Sequence, residues 1–253
     1  MATSWVIITG HSRGMGEAMA RQCLAEGKSV LGISRKEMTA DASVGTALQQ
    51  WQCDLADAAP VAARLAAWLG AFEPSGVASV VLINNAALLS PPAPLHEVSC
   101  PDLVAAIRVG LEAPVLLTQA FLATTQPWVT DGGWSGERKV MQISSGLGRS
   151  AMGSVGSYCA VKAGLDNFSA SVALDQARLA SGAKIVSLAP GIIATDMQVQ
   201  LREADGSGFP DQAKFIGFLE SGALDTPSDA AAKCLAYLGR EDFGSVVIAD
   251  VRQ

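Results

Sequence analysis

WVIITGHSRGMGEAMARQCLAEG, residues 5–27, passes from an apolar β-branched run through a glycine-rich turn into a helical pattern. Val6, Ile7 and Ile8 read as a strand apolar on both faces, as in a sheet covered by helices on each side. Residues 17–27 read as a helix stopped by Gly27. Between them Gly10, Gly14 and Gly16 stand in the spacing G-x-x-x-G-x-G. A helix N-terminus offers unpaired N–H donors and the positive end of its dipole, and glycine lets an anion approach the backbone. Three glycines alone describe a tight turn equally well. Their place after the first strand and their spacing favour a pyrophosphate site, with Gly10, Ser12, Arg13, Gly14, Met15 and Gly16 as candidate contacts.

The same alternation runs to the end of the chain. SVLGIS (29–34), WQCDL (51–55), SVVLINNA (79–86), KVMQISS (139–145), AKIVSLAP (183–190) and SVVIAD (245–250) join residues 5–10 as seven strands, with helical patterns between them. Strands separated by helices pair in parallel through right-handed crossovers. The expectation is an α/β fold of one domain, residues 1–253, with a seven-stranded doubly wound parallel sheet and helices on both faces. No repeat or linker interrupts it. The irregular pieces are 90–95, 130–138 and 202–212, the last inside a segment, 195–220, expected to form a lid.

A hydrophobic fraction of 49% against 17% charged residues supports a large core. The net charge of -6 opposes docking on phosphate backbones and anionic bilayers, so neither nucleic acid nor membrane is an expected partner. Cys23, Cys53, Cys100, Cys159 and Cys234 are odd in number and lack CxxC spacing, which suits reduced thiols in the cytoplasm, without disulfide or zinc. No basic region precedes the first apolar run, and no stretch of about 18 apolar residues follows, so neither export nor spanning is expected. His11 and His96 stand without paired carboxylates, and no metal site is expected.

At the end of the second strand, GISRKE (32–37), an NAD site would place a carboxylate against the ribose 2′-hydroxyl. Ser34 and Arg35 stand there instead, and Glu37 lies too far along. A guanidinium at position 35 can bond a 2′-phosphate with charge assistance, and Arg13 can approach the same group. NADPH/NADP+ is therefore the expected cofactor.

TGHSRGMG (9–16), CDLAD (53–57), NNA (84–86), ISS (143–145), YCAVK (158–162) and PGIIATDM (190–197), in that order, resemble the short-chain dehydrogenase/reductase family, whose domain is a Rossmann fold. The first of these, with LLTQAFL (116–122) and REDFGSVVIADV (240–251), is most similar to the sepiapterin-reductase-like branch. Tyr158 and Lys162 are four residues apart, one helical turn on one face, and Ser145 lies thirteen residues upstream at a strand end. A carbonyl oxygen that receives a hydride needs a proton, and a nearby ammonium lowers the pKa of a phenol that is otherwise a poor acid near neutrality. The resemblance implies that Tyr158 donates the proton, Lys162 also binds the nicotinamide ribose, and Ser145 donates to the substrate carbonyl. Ser144 is the adjacent rival for the serine role. It also implies that Asp54 and Leu55 contact adenine, that Asn84, Asn85 and Ala86 line the cofactor, and that Pro190, Gly191, Ile193 and Thr195 border the nicotinamide amide. Ala87 departs from the family's glycine.

Where many family members carry an asparagine whose main-chain carbonyl holds a relay water, this chain has Gly110. Pro114 lacks an N–H and cannot donate to the carbonyl of Gly110, which is expected to serve in the relay. Leu147, Met152, Val155, Ile192 and Met197, with Phe209, Phe215 and Phe218 of the lid, are expected to wall the substrate site. This lining suits a hydrophobic or aryl ketone or 1,2-diketone. The alternatives are a 3-oxoacyl-carrier-protein or pterin reductase, and an NADP-sensing binding protein without turnover. Val161, Leu165, Phe168 and Val172 form an apolar stripe that excludes Tyr158 and Lys162. Small residues on other faces, Ala160, Ala163, Gly164, Ala170 and Ala173, allow a homodimer to pack there, or a tetramer.

Overall fold

The computed structural model describes residues 2–39 and 42–253. Strands β1 (Thr3–Thr9), β2 (Ser29–Ser34), β3 (Leu48–Gln52), β4 (Val77–Asn84), β5 (Glu137–Ile143), β6 (Lys184–Ala189) and β7 (Ile248–Asp250) form one sheet. Its order is β3-β2-β1-β4-β5-β6-β7, and every neighbouring pair is parallel. The order reverses between β1 and β4, which opens a crevice at the C-terminal ends of these strands. The helices are α1 (Gly14–Ala25), α2 (Ala58–Gly70), α3 (Cys100–Ile107), α4 (Ala113–Thr130), α5 (Gly156–Ala177), α6 (Asp196–Arg202), α7 (Gln212–Glu220) and α8 (Pro227–Leu238).

Alternation along the strands builds two cores. Val6 and Ile8 face one side, with Met19 of α1 and Ala230 and Cys234 of α8. Ile7 faces the other, with Leu65 of α2 and Leu117 and Phe121 of α4. On that side the five tryptophans, Trp5, Trp51, Trp68, Trp128 and Trp134, join Phe72 in one belt of ring contacts. Trp134 Nε1 donates to the Val77 carbonyl at 2.6 Å. Gly27 ends α1 at φ +76°, and the N–H groups of Gly27 and Lys28 return to the carbonyls of Leu24 and Cys23.

Three expectations are corrected. β3 begins and ends three residues before the apolar run WQCDL, because the Asp54 carboxylate accepts from Ala56 N–H and turns the chain. The buried face of α5 is polar as well as apolar: Val161 and Leu165 share it with Lys162, Asp166 and Ser169, while Phe168 and Val172 are half-buried. Of the small residues on α5, Ala160 and Ala163 are exposed, but a Cβ on Gly164 would meet Leu111 of this same chain.

α3 runs into α4 through a π turn (Arg108–Glu112), closed by the Ala113 N–H on the Arg108 carbonyl. The rod Cys100–Thr130 is long and apolar enough to cross a membrane by length and composition, but α4 packs on α2 and α3 packs on α5. α6, α7 and the chain between them enclose a third small core of Val155, Leu201, Phe209 and Phe215.

Candidate active site

The glycine turn is held open from below. Gly10 and Gly14 have φ of +70° and +57°, a region that side chains rarely tolerate. A Cβ on Gly16 would lie 2.2 Å from the Gly10 carbonyl oxygen, so the turn closes on α1 only with glycine there. Thr9 Oγ1 accepts from the N–H groups of Asn85 and Ala86 at 2.9 and 3.0 Å, and Asn85 Nδ2 donates to the Thr9 carbonyl at 2.9 Å. These bonds tie the loop after β4 to the end of β1.

Several residues expected on the cofactor face brace it instead. Asn85 fills the space beneath the glycine turn, and Asn84 is buried with its amide donating to Thr118 Oγ1 at 3.2 Å. Met15 and Leu55 lie in the two main cores, and Ala86 packs against one of them. Ser12 is half-buried, Asp54 is exposed, and Arg35 is exposed at the end of β2. Arg13, expected to approach the 2′-phosphate, forms an exposed ion pair with Asp196 at the start of α6. His11 is buried below the turn, with Nε2 on Gln50 Oε1 at 2.7 Å and Nδ1 on Ser34 Oγ at 3.1 Å.

The catalytic candidates meet beside β5. Ser144 is buried and its hydroxyl donates to Asp166 Oδ1 at 2.5 Å, which removes it from the role left open between the two serines. Ser145 caps a short 3-10 turn, accepting from Leu147 N–H at 3.2 Å. Lys162 is 2% exposed. Its Nζ donates to the Ile143 carbonyl at 2.7 Å and lies 5.4 Å from the centre of the Tyr158 ring. Burial pushes the Tyr158 phenol up to about 12, and a hydrogen bond from the Ser145 side chain only partly opposes it. Lys162 does not lower the phenol as expected: desolvation dominates, and the opposing influence is the Ser145 hydrogen bond. Burial likewise pulls Lys162 down to about 8, against the raising influence of Asp166. At neutral pH the pair is a phenol beside an ammonium, the protonation that donation to a nascent alkoxide requires.

Gly110 is buried in the π turn, where a Cβ would meet Val161 Cγ1 at 2.6 Å. Close approach of α5, as well as the missing N–H of Pro114, accounts for glycine here. Pro190 is buried, and Gly191 has φ of +86°. Asp225 straps the following residues, its N–H on the Ile192 carbonyl and its carbonyl accepting from Ala194 N–H, both at 2.9 Å. Ile193 pairs with Asp225, and the methyl group of Thr195 faces Gly14. Leu147, Met152, Met197 and Phe218 are half-buried and, like Tyr158, pack against the third core, and Ile192 is half-buried on the loop after β6. Val155, Phe209 and Phe215, expected on the substrate wall, are instead the small core behind it. Sequence reasoning missed Asp166, Arg149 and Asp196. Only the position of Asp166, one turn after Lys162, carried a signal.

Residues 4–206 match the short chain dehydrogenase family. A benzil reductase ((S)-benzoin forming) of Bacillus cereus is 32% identical over 97% of this chain and 99% of its own length. Its namesake from Bacillus subtilis (strain 168) is 30% identical over 92% of this chain and 92% of its own. A short-chain dehydrogenase/reductase from Burkholderia vietnamiensis, known from its crystal structure, superimposes with TM-score 0.65 at 32% identity, covering 99% of this chain and 97% of the other. The chain thus belongs to the short-chain dehydrogenase/reductase family and is an oxidoreductase acting on CH–OH and C=O groups.

Proposed function

We propose that this enzyme is an NADPH-dependent reductase of hydrophobic or aryl carbonyl compounds, with 1,2-diketones of the benzil type as substrates. The observation that carries the reading is the convergence of Ser145, Tyr158 and Lys162 beside an apolar wall of Leu147, Met152 and Met197. The identity to two benzil reductases supports the same substrate class.

The glycine turn fits a dinucleotide. The first residue before α1, Arg13, caps it with no side-chain bond, so the opening N–H groups stay available to a pyrophosphate. Gly10, Ser12, Gly14 and Gly16 would hold that group, with Asp54 toward adenine and Gly191, Ile193 and Thr195 toward the amide. Arg35, with no carboxylate beside it on β2, would read the 2′-phosphate. When bound, the nicotinamide supplies a hydride. Lys162 orients the ribose and keeps positive charge near the phenol. Ser145 donates a hydrogen bond to the substrate carbonyl oxygen, and Tyr158 transfers its phenolic proton to that oxygen as negative charge develops there. The Gly110 carbonyl receives the relay water that returns a proton. Segment 195–220 closes over the substrate, the exposed row of Ala160 and Ala163 on α5 packs a second copy, and the free cysteines suit a cytoplasmic enzyme.

NADPH oxidation by the purified protein with benzil tests this reading, with NADH and Tyr158→Phe as controls. We expect preference for NADPH and a loss of about a thousandfold in the variant. Tight NADPH binding without turnover of benzil, a 3-oxoacyl thioester or a pterin carbonyl would sink it.

A further inference from the structure

We infer that Asp166 is a positioning residue of the catalytic device: its carboxylate clamps the end of β5 so that Ser145 faces Tyr158, and it is the counter-charge that keeps Lys162 an ammonium. The inference rests on the catalytic reading of Ser145, Tyr158 and Lys162.

Asp166 is 6% exposed and faces inward one turn beyond Lys162. Its Oδ1 accepts from Ser144 at 2.5 Å and from Ser187 at 2.6 Å, which joins α5 to the end of β5 and to the middle of β6. One turn earlier Lys162 Nζ holds the carbonyl of Ile143. Two successive turns of α5 therefore grip residues 143 and 144, and the next residue is Ser145. The chain after it lies directly on this clamp: a Cβ on Gly148 would be 2.9 Å from both Asp166 Oδ2 and the Lys162 carbonyl oxygen.

The charges agree with the contacts. Asp166 Oδ2 has no hydrogen-bond partner, and its facing cations are Lys162 on the same helix and Arg149, whose Nε lies 3.5 Å away. From β6 the Ser187 hydroxyl faces it. Beyond Arg149, at the end of β7, Asp250 and Arg252 pair with each other. A buried ammonium without a carboxylate near it gives up its proton. Asp166 supplies that charge from within the helix that carries Lys162.

Asp166→Asn separates the charge from the clamp, because the amide oxygen still accepts from both serines. Lysine labelled with carbon-13 at Cε gives seven resonances, one per lysine of the chain, and Lys162→Arg identifies the one sought. In the cofactor-free protein Asp166→Asn should lower the Lys162 midpoint by about one pH unit. The alkaline limb of the reductase pH profile should move the same way. Ser144→Ala combined with Ser187→Ala keeps the charge and releases the clamp. This variant should leave the midpoint in place and lower kcat about tenfold with KM nearly unchanged. An unmoved midpoint in Asp166→Asn, or full kcat in the double serine variant, overturns the inference. If Asp166→Asn does not fold, the serine variant decides alone. The midpoint is independent of substrate, so failure of benzil as a substrate leaves this test standing.

Discussion

Gly110 and Val161 are in contact with no room for a side chain between them, since the missing Cβ would fall 2.6 Å from Val161 Cγ1. Gly110→Asn should therefore cost about 1–3 kcal/mol by overpacking, before any effect on the relay. Thermal denaturation of that variant beside Gly110→Asn with Val161→Ala checks this, the second change restoring most of the lost Tm. The pattern YCAVK and an upstream serine were legible because they match the family's motif and because a spacing of four sets Tyr158 and Lys162 one helical turn apart. The direction of the Tyr158 shift was not, because burial of the phenol arises from tertiary packing on the third core, which a local pattern does not carry. Nor was Arg13: its partner Asp196 lies 183 residues along the chain, and no local pattern announces it.

The glycine turn is one element made of two segments, Gly10–Gly16 and the Asn85 side chain that fills its underside. Gly16→Ala places a methyl group against the Gly10 carbonyl, a backbone atom that cannot rotate away. We expect cofactor affinity to fall at least tenfold, with Tm reduced, as read by titration of NADPH fluorescence and by calorimetry. The motif was legible as a turn that admits an anion. That Asn85 supports it from beneath, while Asn84, Met15 and Leu55 turn into the interior, was not, because a motif marks positions and leaves side-chain direction open. Element boundaries failed where burial is weak: β3 is an edge strand whose first three residues are only half-buried, so its apolar signal sits too late.

Across the whole molecule, stability follows the buried groups that titrate. In the cofactor-free protein Lys162 has fallen from 10.5 to about 8, so between these values the unfolded chain binds a proton the folded chain has released. Stability contributed by this group rises with pH through that window. Cys23 and Cys234, raised from 9.0 to about 11 and about 12, act in the opposite sense above pH 9, and Tyr158, raised from 10.0, joins them above pH 10. Urea unfolding from about pH 7.5 to about pH 9.5 should show wild type gaining stability relative to Lys162→Met, a difference that cancels the cysteines. The fold class was readable from alternating strands and helices, but the order of strands at the crevice rests on long-range pairing. The tryptophan belt adds an optical consequence. All five indoles touch within one belt, and Trp134 is bonded to the first residue of β4, the far end of that strand from Asn84. Their ultraviolet emission is thus a built-in gauge of the layer that α2 and α4 form on one face of the sheet, and its fading on heating reports the melting of that layer.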